Sequence, residues 1–117
     1  MLYPLRAPVI VTLPATIDVT NARQIHDRLA AALASAAPLI IADLSATVFC
    51  DAVGADWLHR IGYHAAARSG RLRLVIPPGG LMRRMLELLG VDHLLPVYST
   101  IGEACDPACG PWHPMSS

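Results

Sequence analysis

The stretch of sequence best suited to chemistry is residues 49–54, Phe-Cys-Asp-Ala-Val-Gly, where an apolar segment turns into a helical pattern. The first backbone N–H groups of a helix have no partner within the helix, and the helix dipole favours negative charge there. Asp51 is therefore predicted to be an N-cap or a first-turn acid. The same start, left open, is suited to binding an anion.

Two other aspartates extend this candidate site. Asp18 follows the first predicted strand, and Asp43 ends the second. The carboxyl ends of parallel strands meet at one edge of a sheet, and binding sites in open α/β sheets prefer that edge. We therefore expect Asp18, Asp43 and Asp51 to gather there.

Trp57 and Cys50 are the next candidates. Trp57 lies four residues after Val53, so both share one helix face. It is either an anchor for a protein partner, since tryptophan is enriched in binding hot spots, or a core residue. Cys50 is either a nucleophile or a small buried apolar residue, and the sequence places no histidine to activate it. We therefore do not expect an enzyme.

The sequence favours neither a metal site nor a cofactor. Cys105, Cys109 and His113 have a spacing that imitates a zinc site, but structural zinc requires four ligands and no fourth is apparent. His59 and His64 are five residues apart and do not share a helix face. No glycine-rich phosphate-binding loop is present.

Composition limits the class of protein. The 117 residues contain nine arginines, no lysine and nine acidic residues, so the net charge is zero, and 54% of them are apolar. This excludes a disordered chain and gives no basic surface for nucleic acid. The apolar runs are too short to span a bilayer, and no signal peptide is visible. We expect a cytoplasmic protein with reduced cysteines whose apolar excess meets a protein partner.

Strands and helices alternate along the chain. Periodicity and breakers predict strands at 8–14, 39–44, 71–76 and 94–97. Helices are predicted at 22–37, from the Asp51 region to about residue 68, at 81–89 and at 101–105.

Several details accompany these elements. Thr20 or Asn21 is the expected cap of the first helix, and Ser99 or Thr100 that of the last. Arg71 and Arg73 are expected on the solvated face of their strand. The third helix is predicted to bury an apolar stripe. Its members are Leu81, Met82, Met85, Leu88 and Leu89.

The alternation predicts a single α/β domain with a small mixed or parallel sheet. The domain is expected to occupy residues 1–105. Residues 106–117 are rich in Pro, Gly and Ser and are expected to form a flexible tail.

The order and spacing of these segments resemble the STAS domain of anti-sigma factor antagonists. The resemblance rests on residues 9–18, 39–45 and 48–54 (VIVTLPATID, LIIADLS and VFCDAVG) and continues at 70–76, 88–91 and 100–104. It covers roughly residues 8–105. It implies a STAS-type domain with helices packed mainly on one face of the sheet.

The resemblance also implies a function and a site. Members of this family bind an anti-sigma factor of the serine kinase type when unphosphorylated and so release its sigma factor. The kinase phosphorylates a serine or threonine at the start of the second helix, and a phosphatase restores binding. The implied partner-binding residues are Asp18, Asp43, Asp51, Ala52, Val53 and Gly54, and Trp57 is added to them as the candidate anchor named above.

This chain departs from the family at the phosphorylated position. Val53 stands where the hydroxyl belongs, and Ala52 precedes it. The usual Gly-Glu pair after the first strand is replaced by Ala15 and Thr16. The resemblance then implies either a partner-binding protein without the phosphorylation switch or a non-enzymatic STAS subunit of another complex, such as a lipid ABC transporter. The nearby hydroxyls of Thr16, Ser45 and Thr47 are expected in turns or caps.

Overall fold

Strands and helices alternate along the residues that the computed structural model describes, 8–35, 37–67, 71–93 and 95–105. The strands are β1 (Val9–Thr12), β2 (Thr16–Ile17), β3 (Ile40–Asp43), β4 (Phe49–Cys50), β5 (Leu72–Val75) and β6 (Val97–Tyr98). The helices are α1 (Ala22–Ala34), α2 (Ala52–Ala67), α3 (Leu81–Leu88) and α4 (Ile101–Cys105), with a 3₁₀ turn at Val91–His93. Within this part of the chain, no helix combines the length and apolar character needed to cross a bilayer.

The main sheet has the order β1-β3-β5-β6, and its strands are parallel. Thr12 pairs with Asp43, and Asp43 pairs with Val75, so the carboxyl ends of these strands are level. A separate parallel pair joins β2 to β4, with Ile17 opposite Cys50. The predicted α/β class is confirmed, and the sheet, which was predicted to be mixed or parallel, is parallel. The short pair β2–β4 divides the carboxyl edge between two sheets, which the sequence did not predict.

Helices cover the main sheet mostly on one face, as expected. Ile40 and Leu74 belong to the larger apolar cluster, which side chains of α1, α2 and α3 complete. Ile41 and Tyr98 belong to a smaller cluster on the other face, where Ala104 of α4 packs. Successive side chains of a strand point to opposite faces. The two clusters therefore explain why β3 is buried throughout and has a continuous apolar sequence.

Arg71 and Arg73 are half-buried, so the expectation that they lie on a solvated face was wrong. Arg71 donates hydrogen bonds to the carbonyl oxygens of Leu33 and Ala37, near the end of α1. Arg73 donates from Nη1 to the carbonyl oxygen of Ala104 at 2.7 Å. Strand β5 has a neighbour on each side and helices over both faces, so its arginines satisfy helix-end carbonyls instead of meeting water.

The predicted stripe of α3 was also wrong in part. Met82 and Leu86 are buried, but Leu81 and Leu88 are 68% and 78% exposed. Arg83 is buried among the apolar residues, and its Nη2 donates to a backbone carbonyl just after β5. This two-turn helix carries apolar residues on two faces, and periodicity alone does not decide which face is buried.

Replacing Arg71 with methionine tests the anchoring of α1. We expect the free energy of unfolding to fall by about 1–3 kcal/mol, because two half-buried carbonyl oxygens lose a charged donor. Arg84→Met is the matched control, since Arg84 is exposed on α3, and we expect it to change the value by less than about 0.5 kcal/mol. Urea denaturation measures both. Equal losses in the two variants would contradict the assignment.

Candidate functional site

The start of α2 is capped by its own chain. Asp51 follows β4 directly, and its Oδ1 accepts a hydrogen bond of 2.7 Å from the Gly54 amide. This is the N-cap geometry predicted for Asp51. Its Oδ2 lies 3.3 Å from the amide nitrogen of Val19 and accepts a second bond. Asp51 therefore joins the α2 start to the loop that precedes α1, across 32 residues of sequence.

Gly54 is where α2 approaches β2 most closely. A Cβ atom at this position would lie 2.8 Å from Ile17 Cγ2, 2.9 Å from the Ile17 carbonyl oxygen and 2.9 Å from Cys50 Sγ. These distances are shorter than Cβ contacts in real proteins, so glycine is required by space. Gly54 is itself buried, so its place in the candidate site is beneath the surface, where it sets the position of Ala52 and Val53.

Asp18 lies at the end of β2 and is paired with its own turn. Its Oδ1 accepts hydrogen bonds from the Thr20 hydroxyl at 2.5 Å and from the Thr20 amide at 2.9 Å. The bond from the Thr20 hydroxyl, and after it the bond from the Thr20 amide, lower the pKa of Asp18 below its usual range because they stabilise the carboxylate. Asn21 occupies the N-cap position of α1, as expected, but its side chain makes no bond to the helix; its Nδ2 donates to the Thr16 carbonyl oxygen and its Oδ1 accepts from the Asp18 amide.

The three aspartates are divided between the two sheets. Ile17 pairs with Cys50, so Asp18 and Asp51 follow adjacent strands of the small sheet. Asp43 ends a strand of the main sheet and is 9% exposed. Its Oδ1 accepts bonds from the Ser45 amide at 2.9 Å and from the Ser45 hydroxyl at 2.5 Å. The structure thus brings Asp18 and Asp51 together, while Asp43 shapes the turn after β3.

Apolar side chains are exposed around the α2 start. Val53 is 40% exposed, and Ala52 beside it is also exposed. Val19, Val48 and Phe49 are 67%, 66% and 49% exposed. We call these five residues the apolar patch. Sequence reasoning missed its last three members, although the alternation of exposed Phe49 with buried Cys50 is the pattern of a half-buried strand.

Trp57 takes the second of its two predicted roles, that of a residue packed against the core, while its role as a partner anchor stays a prediction. It is half-buried and packs against the main core. Its ring centroid lies 4.8 Å from that of His26, and the Arg60 Cζ lies 4.6 Å from its ring centroid. Arg60 also forms an ion pair with Asp56, with Nε and Oδ2 3.1 Å apart. Trp57 therefore lies in the seam between α1 and α2 with its outer side covered by polar groups.

Comparison with known proteins identifies the family. Residues 5–96 match the family model described as "Mlab, STAS domain". The chain belongs to the STAS domain family. A search of curated protein sequences found no match.

Solved structures agree with this assignment. The STAS domain is similar to an anti-sigma factor antagonist from Mycobacterium paratuberculosis, with 25% identity and a TM-score of 0.71 over 89% of this chain and 87% of that one. A candidate anti-sigma factor antagonist from Thermotoga maritima is similar in fold, with 23% identity and a TM-score of 0.66 over 81% and 83% of the two chains.

The cysteines and histidines of the STAS domain form no site within the part of the chain that is described. Cys50 is buried, and burial, with a smaller effect from the Asp51 charge, raises the pKa of its thiol to about 11. It is therefore a poor nucleophile at neutral pH. Among the described residues, no group of His, Cys, Asp and Glu side chains is arranged to hold a metal ion. Cys109, His113 and the predicted tail lie outside those residues.

Replacing Gly54 with alanine tests the close approach of α2. Alanine favours helix over glycine by about 1 kcal/mol, but the added methyl group meets β2. We expect the free energy of unfolding to fall by about 1–3 kcal/mol, as in other overpacked cores. Gly102→Ala in α4 is the control, because the nearest atom to its Cβ is 3.8 Å away. Thermal or urea unfolding should show the control unchanged or stabilised. A stabilised Gly54→Ala would contradict the packing.

Proposed function

We propose that this STAS domain acts as an anti-sigma factor antagonist of the cytoplasm that binds an anti-sigma factor of the serine kinase type without the usual phosphorylation switch. The observation that carries the proposal is Val53, a half-exposed apolar side chain at the position where the resemblance places the phosphorylated hydroxyl. The proposed docking surface consists of the apolar patch with Asp18, Asp51 and Trp57. The buried Asp43 supports it through the turn after β3, and Gly54 supports it from beneath.

The residues at the α2 start support partner binding that phosphorylation does not control. Neither Ala52 nor Val53 has an oxygen that can form a phosphate ester. A phosphate carries a charge of about −1.5 to −2 at neutral pH and would face the carboxylates of Asp18 and Asp51. Its absence keeps the surface apolar, which is the state that the family resemblance associates with partner binding.

Neighbouring hydroxyl groups are engaged elsewhere. Thr47 is buried, and its Oγ1 donates to the Pro14 carbonyl oxygen at 2.8 Å. The Ser45 hydroxyl donates to Asp43. These contacts support a turn-forming role for both residues, so neither is an evident replacement for the missing acceptor.

The proposed role is non-enzymatic and uses neither a cofactor nor a metal. The raised pKa of Cys50 supports this part of the proposal, since its thiol is protonated at neutral pH.

A second candidate function is that of a STAS subunit of another complex, such as a lipid ABC transporter. Val53 favours it as well, because a permanently bound subunit needs no switch. The neighbouring genes and the co-purifying proteins distinguish the two functions. The first function predicts a sigma factor and its anti-sigma kinase, and the second predicts a transporter ATPase.

Co-purification from the native cell extract tests the proposed function. We expect the wild-type protein to retain an anti-sigma factor of the serine kinase type, identified by mass spectrometry. Val53→Glu should weaken binding to that purified protein by about tenfold or more, because it places a charge on an apolar contact. Tyr63→Glu adds the same charge at a 65% exposed site of the same helix and should bind normally. Recovery of an ATPase instead supports the second candidate.

Restoring the hydroxyl tests the missing switch. With the purified kinase and ATP, we expect the wild-type protein to remain unmodified and Val53→Ser to take up phosphate, because only the variant has an acceptor oxygen at the α2 start. Val53→Ala controls for loss of the valine side chain and should stay unmodified. Mass spectrometry that finds phosphate on the wild-type chain would contradict binding without a switch.

A further inference from the structure

Asp51 uses its two carboxylate oxygens for two different purposes. Oδ1 accepts from the Gly54 amide inside α2, and Oδ2 accepts from the Val19 amide in the loop between β2 and α1. Val19 is 67% exposed and Val53 is 40% exposed. We propose that Asp51 is a positioning residue that holds Val19 and Val53 together as one docking surface. This inference rests on the proposed function.

Contacts other than the Asp51 carboxylate also hold the α2 start against β2, whereas one described hydrogen bond joins the Val19 loop to the α2 start. Gly54 packs closely against β2, and the Asp51 amide donates to the Ile17 carbonyl oxygen at 3.0 Å. These contacts fix α2 whether or not the carboxylate binds Val19. The other described hydrogen bonds of residues 18–20 are local. The Asp18 carboxylate accepts from Thr20 within the loop, and the Asp18 carbonyl oxygen accepts from the amides at the start of α1. The bond from Val19 to Asp51 is the one that joins it to α2.

The arrangement requires a carboxylate and not merely a capping residue. Asparagine and aspartate cap helices about equally well, since each has an oxygen that accepts from the first turn. Asparagine has a single acceptor oxygen, and its NH₂ group is a donor that repels another N–H group. Asp51→Asn is therefore expected to keep the bond to Gly54 and lose the bond to Val19.

The surface held in this way fits a particular partner chemistry. The exposed side chains are Val19 and Val53, and the carboxylate of Asp18 lies in the same loop as Val19, whereas the two oxygens of Asp51 are occupied by backbone amides. A complementary surface presents apolar side chains bordered by arginine or lysine. The proposed occupant is thus an apolar and basic surface of the anti-sigma factor.

Amide hydrogen exchange tests the clamp without any partner. In Asp51→Asn, we expect the Val19 amide to exchange about tenfold faster, as for the loss of one hydrogen bond to a charged acceptor, and the Gly54 amide to be unchanged. Asp51→Ser, whose single oxygen caps α2 and does not serve both amides, should behave in the same way. Unchanged exchange at Val19 in both variants would overturn the clamp.

Binding tests what the clamp is for. The probe is the purified kinase-type anti-sigma factor, titrated into the wild-type protein and each variant. Asp51→Asn should raise the dissociation constant about tenfold, because the Val19 loop is no longer held in place. Val19→Ala should raise it by a similar factor, because an apolar contact with the partner is lost. Glu87→Gln on α3 loses the same charge outside the docking surface and should bind as the wild type does.

The outcomes separate the two proposals. Wild-type affinity in Asp51→Asn, with the Val19 amide released, would overturn the positioning role and leave the proposed function standing. Failure of the wild-type protein to bind the probe would instead overturn the proposed function and, with it, the docking role of Val19.

Discussion

The close contact between the start of α2 and β2 determines the geometry of the carboxyl edge. Gly54 leaves no room for a side chain, so the helix lies directly against Ile17 and Cys50. Asp51 sits at the same point and binds one amide in α2 and another in the loop before α1. Backbone packing and a single carboxylate thus fix two segments that are far apart in sequence. The exposure of the apolar patch is a consequence, since neither segment is free to turn its side chains inward.

This geometry decides between the two kinds of chemistry that a helix start offers. An open helix start attracts anions because its amides lack partners and its dipole is positive. Here Asp51 already supplies both an acceptor and a negative charge, and Val53 presents a methyl surface next to it. The site is therefore better suited to contact with a protein than to holding a phosphate. In the proposed function, the STAS fold positions the start of α2, and the side chain at position 53 determines whether that surface can be phosphorylated.

Much of the fold was predictable because it depends on local patterns. The alternation of elements, the buried run of β3 and the cap at Asp51 all follow from periodicity and residue type. The two-residue strands β2 and β4 are too short to have a period, so the division of the carboxyl edge was missed. The bond between Asp51 and Val19 spans 32 residues and leaves no local signal. Arg83 looks like a surface residue in sequence and is buried because a nearby carbonyl needs a donor.

The central claim is that phosphorylation does not control the binding of the anti-sigma factor at the start of α2. Its most direct test is the dissociation constant for the kinase-type anti-sigma factor, measured by calorimetric titration before and after incubation of the mixture with ATP and magnesium and removal of the nucleotide. The account predicts the same constant in both titrations, because Ala52 and Val53 have no hydroxyl oxygen at the position where the resemblance places the phosphorylated residue. A constant that rises about tenfold or more after incubation, with phosphate found on the STAS domain, would contradict it.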